Sequence, residues 1–198
     1  MNLVMRGLTW KTILAFLDDI LVLGRSFRYH MVNLKEALLR FRRYGLKLKP
    51  KKFIFFKKEV EFLGRIVSGD SLAISVNDIE TVKKWPIPLS SKEVERFLGL
   101  ANYHRGFIKN FSKIAQPLYE WTGKKQFAWG EEQEEVFKKL KNALVNPPVL
   151  ALPTREDPFI LDVDASNLAI GAELLQVQGG EEKVIAYGIY GFKIGRAS

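Results

Sequence analysis

Apolar and charged residues recur with different periods in different parts of this sequence. Residues 13–23 hold nine apolar residues of eleven, with Asp18 and Asp19 at the centre, which predicts two short strands joined by a two-residue polar turn. Because the two apolar runs do not alternate, we expect these strands to be covered on both faces. Apolar residues then recur every three or four positions, which predicts an amphipathic helix capped by Ser26 and ending at Gly45.

The remainder of the chain mixes short strands and helices. A second hairpin is predicted within 60–75 with a turn at 69–70, and Ser90 and Glu93 have the spacing of a capping box. Proline residues within 147–153 indicate a linker. The predicted helices begin at Asn77 or Asp78, after a cap at Ser90 or Ser91, near Phe107 and at Glu131, and the last predicted strands are 158–163, 169–176 and 184–190. This order is typical of an α+β fold rather than of regular βαβ alternation.

Composition limits the classes of protein to which this chain can belong. Its 198 residues, 47% hydrophobic and 27% charged, are typical of one or two globular domains with a packed core. No apolar run reaches the ~18–20 residues of a membrane span, and no secretory signal pattern opens the chain. We therefore expect a soluble intracellular protein, cytoplasmic or nuclear and not secreted. With no cysteine and two histidines, any metal would be held by carboxylates, and we expect His104 on the surface.

The net charge of +9 is concentrated near the start of the chain. Residues 1–60 carry 14 lysines and arginines against 4 acids, and the basic residues from Arg40 to Lys58 are interleaved with phenylalanine and tyrosine. Such interleaving fits a surface that follows a nucleic-acid backbone and stacks on its bases. A solvated basic face that binds nothing is the simpler alternative.

Two pairs of carboxylates are candidates for chemistry. Asp18 and Asp19 could be ordinary turn residues, but neither is followed by glycine, and adjacent acids between apolar strands are costly without a cation. Carboxylates at a strand turn suit Mg²⁺, which points to metal-assisted phosphoryl transfer. Asp162 and Asp164 share one face of a predicted strand and form a second candidate site, the alternative being a solvated strand face.

Several segments resemble one family in chain order. The residues Phe16-Leu17-Asp18-Asp19 resemble the (Tyr/Phe)-x-Asp-Asp motif of reverse transcriptases. The segments that resemble the palm and thumb of gypsy-type LTR-retrotransposon (retrovirus-like) reverse transcriptases are 45–48, 51–64 and 97–108, and Asp164-Ala165-Ser166 resembles the opening of their RNase H domain. The resemblance implies a polymerase that uses Mg²⁺ and binds an RNA/DNA template–primer duplex.

The resemblance also assigns roles to individual residues. Asp18 and Asp19 would be palm carboxylates at the catalytic metal, Asp18 the more direct ligand, and Asp164 would be the first RNase H metal ligand. The residues expected to contact nucleic acid are Phe62, Leu63 and Gly64 in a hairpin that grips the primer, Lys92, Arg96, Asn102 and Arg105 in the thumb, and Arg43, Lys49 and Lys51 in the basic stretch.

The resemblance divides the chain into residues 1–75, the C-terminal part of the palm; 76–120, a small helical thumb; 121–155, a connection helix and proline-rich link; and 156–198, a truncated RNase H-like domain with its first three strands. The family's polymerase needs a further aspartate and fingers that precede the Asp-Asp motif, and only 17 residues precede Asp18 here. We therefore expect a piece of a Pol polyprotein that binds template–primer and is inactive alone. A domesticated nucleic-acid-binding or scaffold protein and a degenerate remnant are the alternatives, so the sequence leaves open whether the chain is itself an enzyme.

Overall fold

The computed structural model describes residues 4–9, 11–123, 127–165 and 169–191. Ser166, in the segment that resembles the opening of an RNase H domain, lies outside them. The chain divides into two compact units, Met1–Lys57 and Lys58–Ser198. Together they hold mixed helices and antiparallel sheets, as the α+β prediction requires.

The first unit contains one hairpin and one long helix. Strands β1 (Ile13–Phe16) and β2 (Asp19–Val22) pair antiparallel, and helix α1 spans Phe27–Arg43. The Ser26 hydroxyl accepts a hydrogen bond from the Tyr29 amide, as an N-cap residue does. Gly45 follows the helix with a φ of 66°, so the predicted start and end of the helix are confirmed.

The core of the first unit is small. Its buried side chains are those of Met5, Ile13, Ala37 and Phe41. Ile13 is the one buried residue of the hairpin, so the expectation of strands covered on both faces is wrong for this structure. The reason is that, among the described residues of this unit, only α1 and the segment near Met5 supply apolar side chains against it.

The second unit opens with a sheet that the sequence predicted only in part. Its strands, in sheet order and all antiparallel, are β3 (Val60–Phe62), β4 (Arg65–Val67), β5 (Ser71–Ile74) and β6 (Leu150–Ala151). The single strand predicted over 60–68 is broken by a tight turn at Leu63 and Gly64. The proline-rich segment 147–153, predicted to be a linker, instead supplies β6, because Leu150 and Ala151 pair with β5 between the flanking prolines.

Between β5 and β6 the chain forms four α-helices among the described residues: α2 (Val76–Lys83), α3 (Ser91–Tyr103), α4 (Phe111–Tyr119) and α5 (Glu131–Val145). The cap of α2 is Ser75 rather than Asn77 or Asp78. Ser90 caps α3 as predicted, but the Glu93 carboxylate accepts from the Leu89 amide instead of closing the box on Ser90. Helix α4 begins later than expected, after a 3₁₀ turn at Arg105–Phe107.

A three-stranded antiparallel sheet forms the C-terminal part of the described chain. Its strands are β7 (Phe159–Ala165), β8 (Ala169–Gln178) and β9 (Glu181–Gly191). The predicted turn between β8 and β9 is confirmed, with Gly179 and Gly180 at φ values of 65° and 86°. These left-handed values suit glycine, which has no Cβ to clash.

The main core of the second unit lies between its helices and the four-stranded sheet. The rings of Phe97 in α3 and Phe137 in α5 have centroids 4.6 Å apart. Ile74 of β5 and Leu150 of β6 are buried in the same cluster. The short strand β6 is therefore part of the core as well as of the sheet.

We expect Leu150→Ala to lower the free energy of unfolding of the second unit by about 2–5 kcal/mol, because it leaves a cavity under β6. Val149→Ala is the matched control, since Val149 is 66% exposed and its truncation should change stability by less than about 0.5 kcal/mol. Urea unfolding followed by circular dichroism measures both. Equal losses in the two variants would contradict the placement of β6 in the core.

Candidate functional site

The acidic turn lies at the tip of the β1–β2 hairpin. Phe16 pairs with Asp19, so the two loop residues are Leu17 and Asp18, and Asp19 is the first residue of β2. The turn predicted at Asp18-Asp19 is thus shifted by one position. Leu17 has a φ of 48°, a left-handed conformation that is unusual for leucine and costs of the order of 1–3 kcal/mol. Its strained backbone presents Asp18 at the tip.

The two carboxylates of this turn have no partner among the described residues. Asp18 and Asp19 are both exposed, and no hydrogen bond or ion pair joins either carboxylate to the described part of the chain. The described residues also contain no group of three or more side chains suited to hold a metal. Two free carboxylates nevertheless fit Mg²⁺, which is bound by one or two carboxylates together with water and phosphate oxygens.

The third candidate ligand, Asp164, is held by a lysine. Lys113 of α4 donates to the Asp164 carboxylate at 2.9 Å. Asp162, on the same face of β7, lies opposite Glu173 of β8, and Lys109 donates to Glu173 at 2.6 Å. Lysines at and before the start of α4 therefore neutralise acids of the three-stranded sheet.

The basic stretch is exposed and almost free of acids. Arg40 is an exception to its predicted role, because its guanidinium donates to Glu36 and to the carbonyls of Val4 and Arg6. The remaining cations of the first unit's basic stretch are Arg42, Arg43, Lys47, Lys49, Lys51, Lys52 and Lys57. All seven are exposed, and none forms an ion pair with a residue that the structure describes.

Aromatic rings lie among these cations. The ring centroids of Phe53 and Phe55 are 5.2 Å apart, and those of Phe27 and Phe56 are 5.4 Å apart. All four rings are more than a third exposed. Exposed rings beside lysines can stack on unpaired bases. Sequence reasoning missed Phe27, which belongs to α1 and joins the cluster only through the fold.

The turn between β3 and β4 contains three of the residues expected to contact nucleic acid. Phe62 pairs with Arg65, which leaves Leu63 and Gly64 as the loop, with φ values of 52° and 66°. Positive φ at both central positions defines a type I′ turn, which favours asparagine and glycine over leucine. The Tyr103 hydroxyl donates to the Leu63 carbonyl at 2.6 Å.

A groove of about 580 Å³ opens beside this turn. It is lined by Arg65, Gly99, Asn102, Tyr103, Arg105, Gly106 and Tyr187. The Arg65 guanidinium lies 5.4 Å from the centre of the Tyr103 ring, and its Nε is buried with no hydrogen-bond partner among the described residues. The structure thus brings Asn102 and Arg105 together in one basic groove. Lys92 and Arg96 are exposed on α3 and do not line it.

Of the groove residues that sequence reasoning did not place in a site, Arg65 and Tyr187 supply the clearest contrast. Arg65 directly follows the Phe62-Leu63-Gly64 motif, so its position next to the motif was a usable signal. Tyr187 lies on β9, far along the chain, and nothing in the local sequence indicated its place. Burial, reinforced by the nearby Glu173 carboxylate, raises the pKa of Tyr187, so its hydroxyl stays protonated.

His104 is fully buried, so the expectation of a surface histidine is wrong. His104 is the C-cap residue of α3. Its ring faces the core, and the ring Nε2 lies 2.9 Å from the Asp78 carboxylate. Because a carboxylate only accepts, Nε2 carries the shared proton. The other ring nitrogen is buried with no partner among the described residues. Burial lowers the pKa of His104, and the Asp78 carboxylate, which raises it, offsets only part of this effect. The neutral ring is therefore favoured.

Comparison with known proteins agrees with this arrangement. Residues 1–67 match the family reverse transcriptase (RNA-dependent DNA polymerase), and residues 129–192 match the RNase H-like domain found in reverse transcriptase. The retrovirus-related Pol polyprotein from transposon 297 of Drosophila melanogaster is 38% identical over 178 residues, which cover 89% of this chain and 17% of that relative. The Gag-Pol polyprotein of avian reticuloendotheliosis virus is 32% identical over 178 residues, covering 89% of this chain and 16% of that relative.

Solved structures show the same fold. Two structures of foamy viral protease-reverse transcriptase superpose on this chain with TM-scores of 0.82 and 0.78 at 23% identity. One contains double-stranded DNA and the other an RNA/DNA hybrid. They cover 98% of this chain, which spans 34% and 26% of theirs.

The chain belongs to the reverse transcriptase family, with an RNase H-like part towards its C-terminus. The curated relatives that it matches include Pol polyproteins of Drosophila transposons and Gag-Pol polyproteins of retroviruses. It spans about a sixth of the length of the first curated relatives that it matches. In the described residues, no helix has the length and apolar character needed to cross a membrane.

We expect the stability of the second unit to decrease as the pH falls below about 6.5. The ordinary histidine pKa is about 6.5, and that of His104 is lowered in the folded state. As the pH falls, His104 therefore binds a proton in the unfolded chain before it does so in the folded chain. The stability is fully present above about pH 6.5 and is lost as the pH falls from there to the pKa of His104 in the folded state. Urea unfolding between pH 7.5 and 5.5 measures this loss.

Two variants distinguish the contribution of His104 to this pH dependence from that of other titrating groups. His104→Phe should lose part of this pH dependence, whereas His30→Gln, which changes the other histidine of the chain, should keep it. A pH profile that is identical in all three proteins would contradict the assignment.

Proposed function

We propose that this chain binds a template–primer duplex through the basic stretch of its first unit and the groove of its second unit, and that it does not extend a primer by itself. One observation carries the proposal most directly. From Arg42 to Lys57 the chain holds seven exposed cations and no acid, and none of the seven is neutralised by a described residue. Cations in this state are available to phosphates, whose neutralisation releases counterions and drives binding.

The groove of the second unit supports the same proposal. Its arginines, Arg65 and Arg105, supply positive charge, Asn102 supplies a polar side chain, and the rings of Tyr103 and Tyr187 supply flat apolar walls. This combination suits a sugar–phosphate strand, since phosphate contacts position a protein on a duplex without reading its sequence. The foamy viral structures of the same fold contain double-stranded DNA or an RNA/DNA hybrid, which is consistent with a duplex ligand here.

In an intact polymerase, Asp18 and Asp19 would hold Mg²⁺, and Asp164 would be a ligand in the RNase H-like part. The metal would lower the barrier to attack of the primer 3′-hydroxyl on a nucleotide by stabilising charge on phosphate oxygens. The contribution of the chain is to hold two carboxylates at an exposed hairpin tip and the duplex on basic side chains. The Asp164 carboxylate forms an ion pair with the Lys113 ammonium, which would have to move aside for a metal cation to bind.

The proposed inactivity rests on the number of ligands. Asp18 and Asp19 are the carboxylates of the turn, and the described residues bring no third metal-ligating side chain to them. Metal-assisted nucleotidyl transfer by two ions requires ligands for both ions at one place. Two adjacent carboxylates are therefore too few to build that centre within the described residues.

Duplex affinity should fall steeply with salt. We expect log Kd to change with log[salt] by about 0.9 for each phosphate that is neutralised on DNA, which gives a total slope of several units. Fluorescence anisotropy with a labelled duplex between 50 and 200 mM salt, about the range over which such contacts lose most of their affinity, measures the slope. A flat response would contradict the role of the basic stretch.

A charge-matched pair of variants locates the contacts. The triple variant Arg43→Gln, Lys49→Gln, Lys51→Gln should weaken binding and reduce the slope by about two to three units. The control variant removes three exposed lysines outside the proposed surface: Lys84→Gln, Lys139→Gln and Lys183→Gln. Equal weakening by both triples would show that net charge, rather than this surface, determines the affinity.

We expect no incorporation of nucleotides when the chain is given a primed RNA template, dNTPs and Mg²⁺, with a complete retroviral reverse transcriptase as the positive control. Incorporation that is lost in Asp18→Asn would contradict the proposed inactivity. Supplying an upstream palm polypeptide in trans distinguishes a polymerase segment from a domesticated binding module. Restored extension that depends on Asp18 would favour the polymerase segment.

A further inference from the structure

The Leu63-Gly64 turn is strained, and other parts of the second unit hold it. Leu63 adopts a left-handed conformation in which its Cβ crowds the backbone. Such a conformation persists when the surrounding structure over-determines it. Residues outside the β3–β4 hairpin contact this turn and hold its conformation.

Both carbonyls of the turn accept hydrogen bonds from outside the hairpin. The Tyr103 hydroxyl, at the end of α3, donates to the Leu63 carbonyl at 2.6 Å. The Ser75 amide, at the start of α2, donates to the Gly64 carbonyl at 3.0 Å. Rotation of either peptide plane would break one of these bonds, so the two helix ends fix the plane of each peptide.

The Asp78 carboxylate closes the remaining side of the turn. A methyl group built on Gly64 would lie 2.5 Å from Asp78 Oδ2, so the carboxylate lies directly against the glycine. The same oxygen accepts the Nε2 proton of His104 at 2.9 Å. Because His104 is fully buried, its ring cannot swing away, and it holds the carboxylate in this position.

We propose that Asp78, His104 and Tyr103 are positioning residues that hold the Leu63-Gly64 turn in the conformation that contacts the duplex. This inference rests on the proposed binding of a duplex in the groove beside that turn. Direct contact cannot explain a role for two of the three residues. A buried His104 cannot reach nucleic acid, and a carboxylate such as Asp78 repels phosphate.

The sign of one mutational effect distinguishes positioning from electrostatics. Removing a negative charge beside a basic groove should strengthen duplex binding if charge alone matters. If Asp78 positions the turn, Asp78→Ala should instead weaken binding by about tenfold. Glu80→Ala is the matched control, because it removes one half-exposed acid of the same helix, which pairs with Lys83 rather than with the turn, and it should leave affinity unchanged or slightly improved.

Tyr103→Phe is a second and milder variant. It deletes the hydroxyl that donates to Leu63 but retains the ring beneath Arg65, so the fold should survive. We expect a loss of affinity of about three- to tenfold. This variant keeps the test valid if Asp78→Ala folds poorly.

Amide hydrogen exchange of Ser75 supplies a readout independent of binding. In the unaltered chain this amide is bonded to the Gly64 carbonyl and should exchange slowly. In Asp78→Ala and Tyr103→Phe it should exchange at least about tenfold faster, while core amides such as that of Leu140 keep their rates. A uniform increase at Ser75 and Leu140 would indicate general destabilisation and would overturn the proposal.

The binding and exchange results separate the two proposals. If the unaltered chain fails to bind a labelled DNA duplex or RNA/DNA hybrid at low salt, the proposed function is overturned. If the unaltered chain binds and both variants bind equally well or more tightly, with unchanged Ser75 exchange, the positioning role alone is overturned. Weaker binding together with selective loss of Ser75 protection supports it.

Discussion

The burial of the apolar face of α3 is the interaction on which the second unit depends. The buried residues of that face are Val94, Phe97, Leu98 and Ala101. The Phe97 ring lies against Phe137 of α5, and ring pairs of this kind add ~0.5–1.5 kcal/mol beyond the area that they bury. Because α3 is fixed at this face, its last residue Tyr103 reaches the β3–β4 turn directly, and the adjoining His104 acts on the turn through the Asp78 carboxylate. A core contact therefore determines the geometry of a surface turn.

The two candidate sites are both built on strained hairpin turns, but they are held differently. Leu63 keeps its left-handed conformation with help from α2 and α3, which bond both carbonyls of its turn. Leu17 has a similar φ, yet the Asp18 and Asp19 carboxylates beside it have no described partner. Unpaired adjacent carboxylates repel each other, and a cation between them removes that repulsion. The Leu63-Gly64 turn is thus organised by contacts from the rest of its unit, whereas the carboxylates of the Leu17-Asp18 turn receive no such support from the described residues.

The elements that could be predicted are those with a local chemical signal. Ser26 and Ser90 cap helices because their hydroxyls satisfy free amides, and Gly179-Gly180 reverses the chain because glycine tolerates positive φ. The two-residue strand β6 has no such signal, since its pairing with β5 joins residues far apart in sequence. The local sequence also gave no signal that His104 is buried, because its burial depends on Asp78 of another helix. Motif spacing located the acidic turn, but a leucine at positive φ shifted its loop by one residue.

The two units differ in the availability of their cations as well as in their net charge. In the second unit, acids of the three-stranded sheet meet lysines: Lys109 pairs with Glu173 and Lys113 with Asp164. In the first unit, Arg40 is used to bind carbonyls of the N-terminal segment, while the cations that follow it have no described partner. Lys113 and Asp164 are both exposed, and exposed ion pairs contribute ~0–1 kcal/mol each, so this pair can open when a stronger ligand arrives. The cations of the basic stretch have no described partner to release, so they need no such exchange before an anion binds.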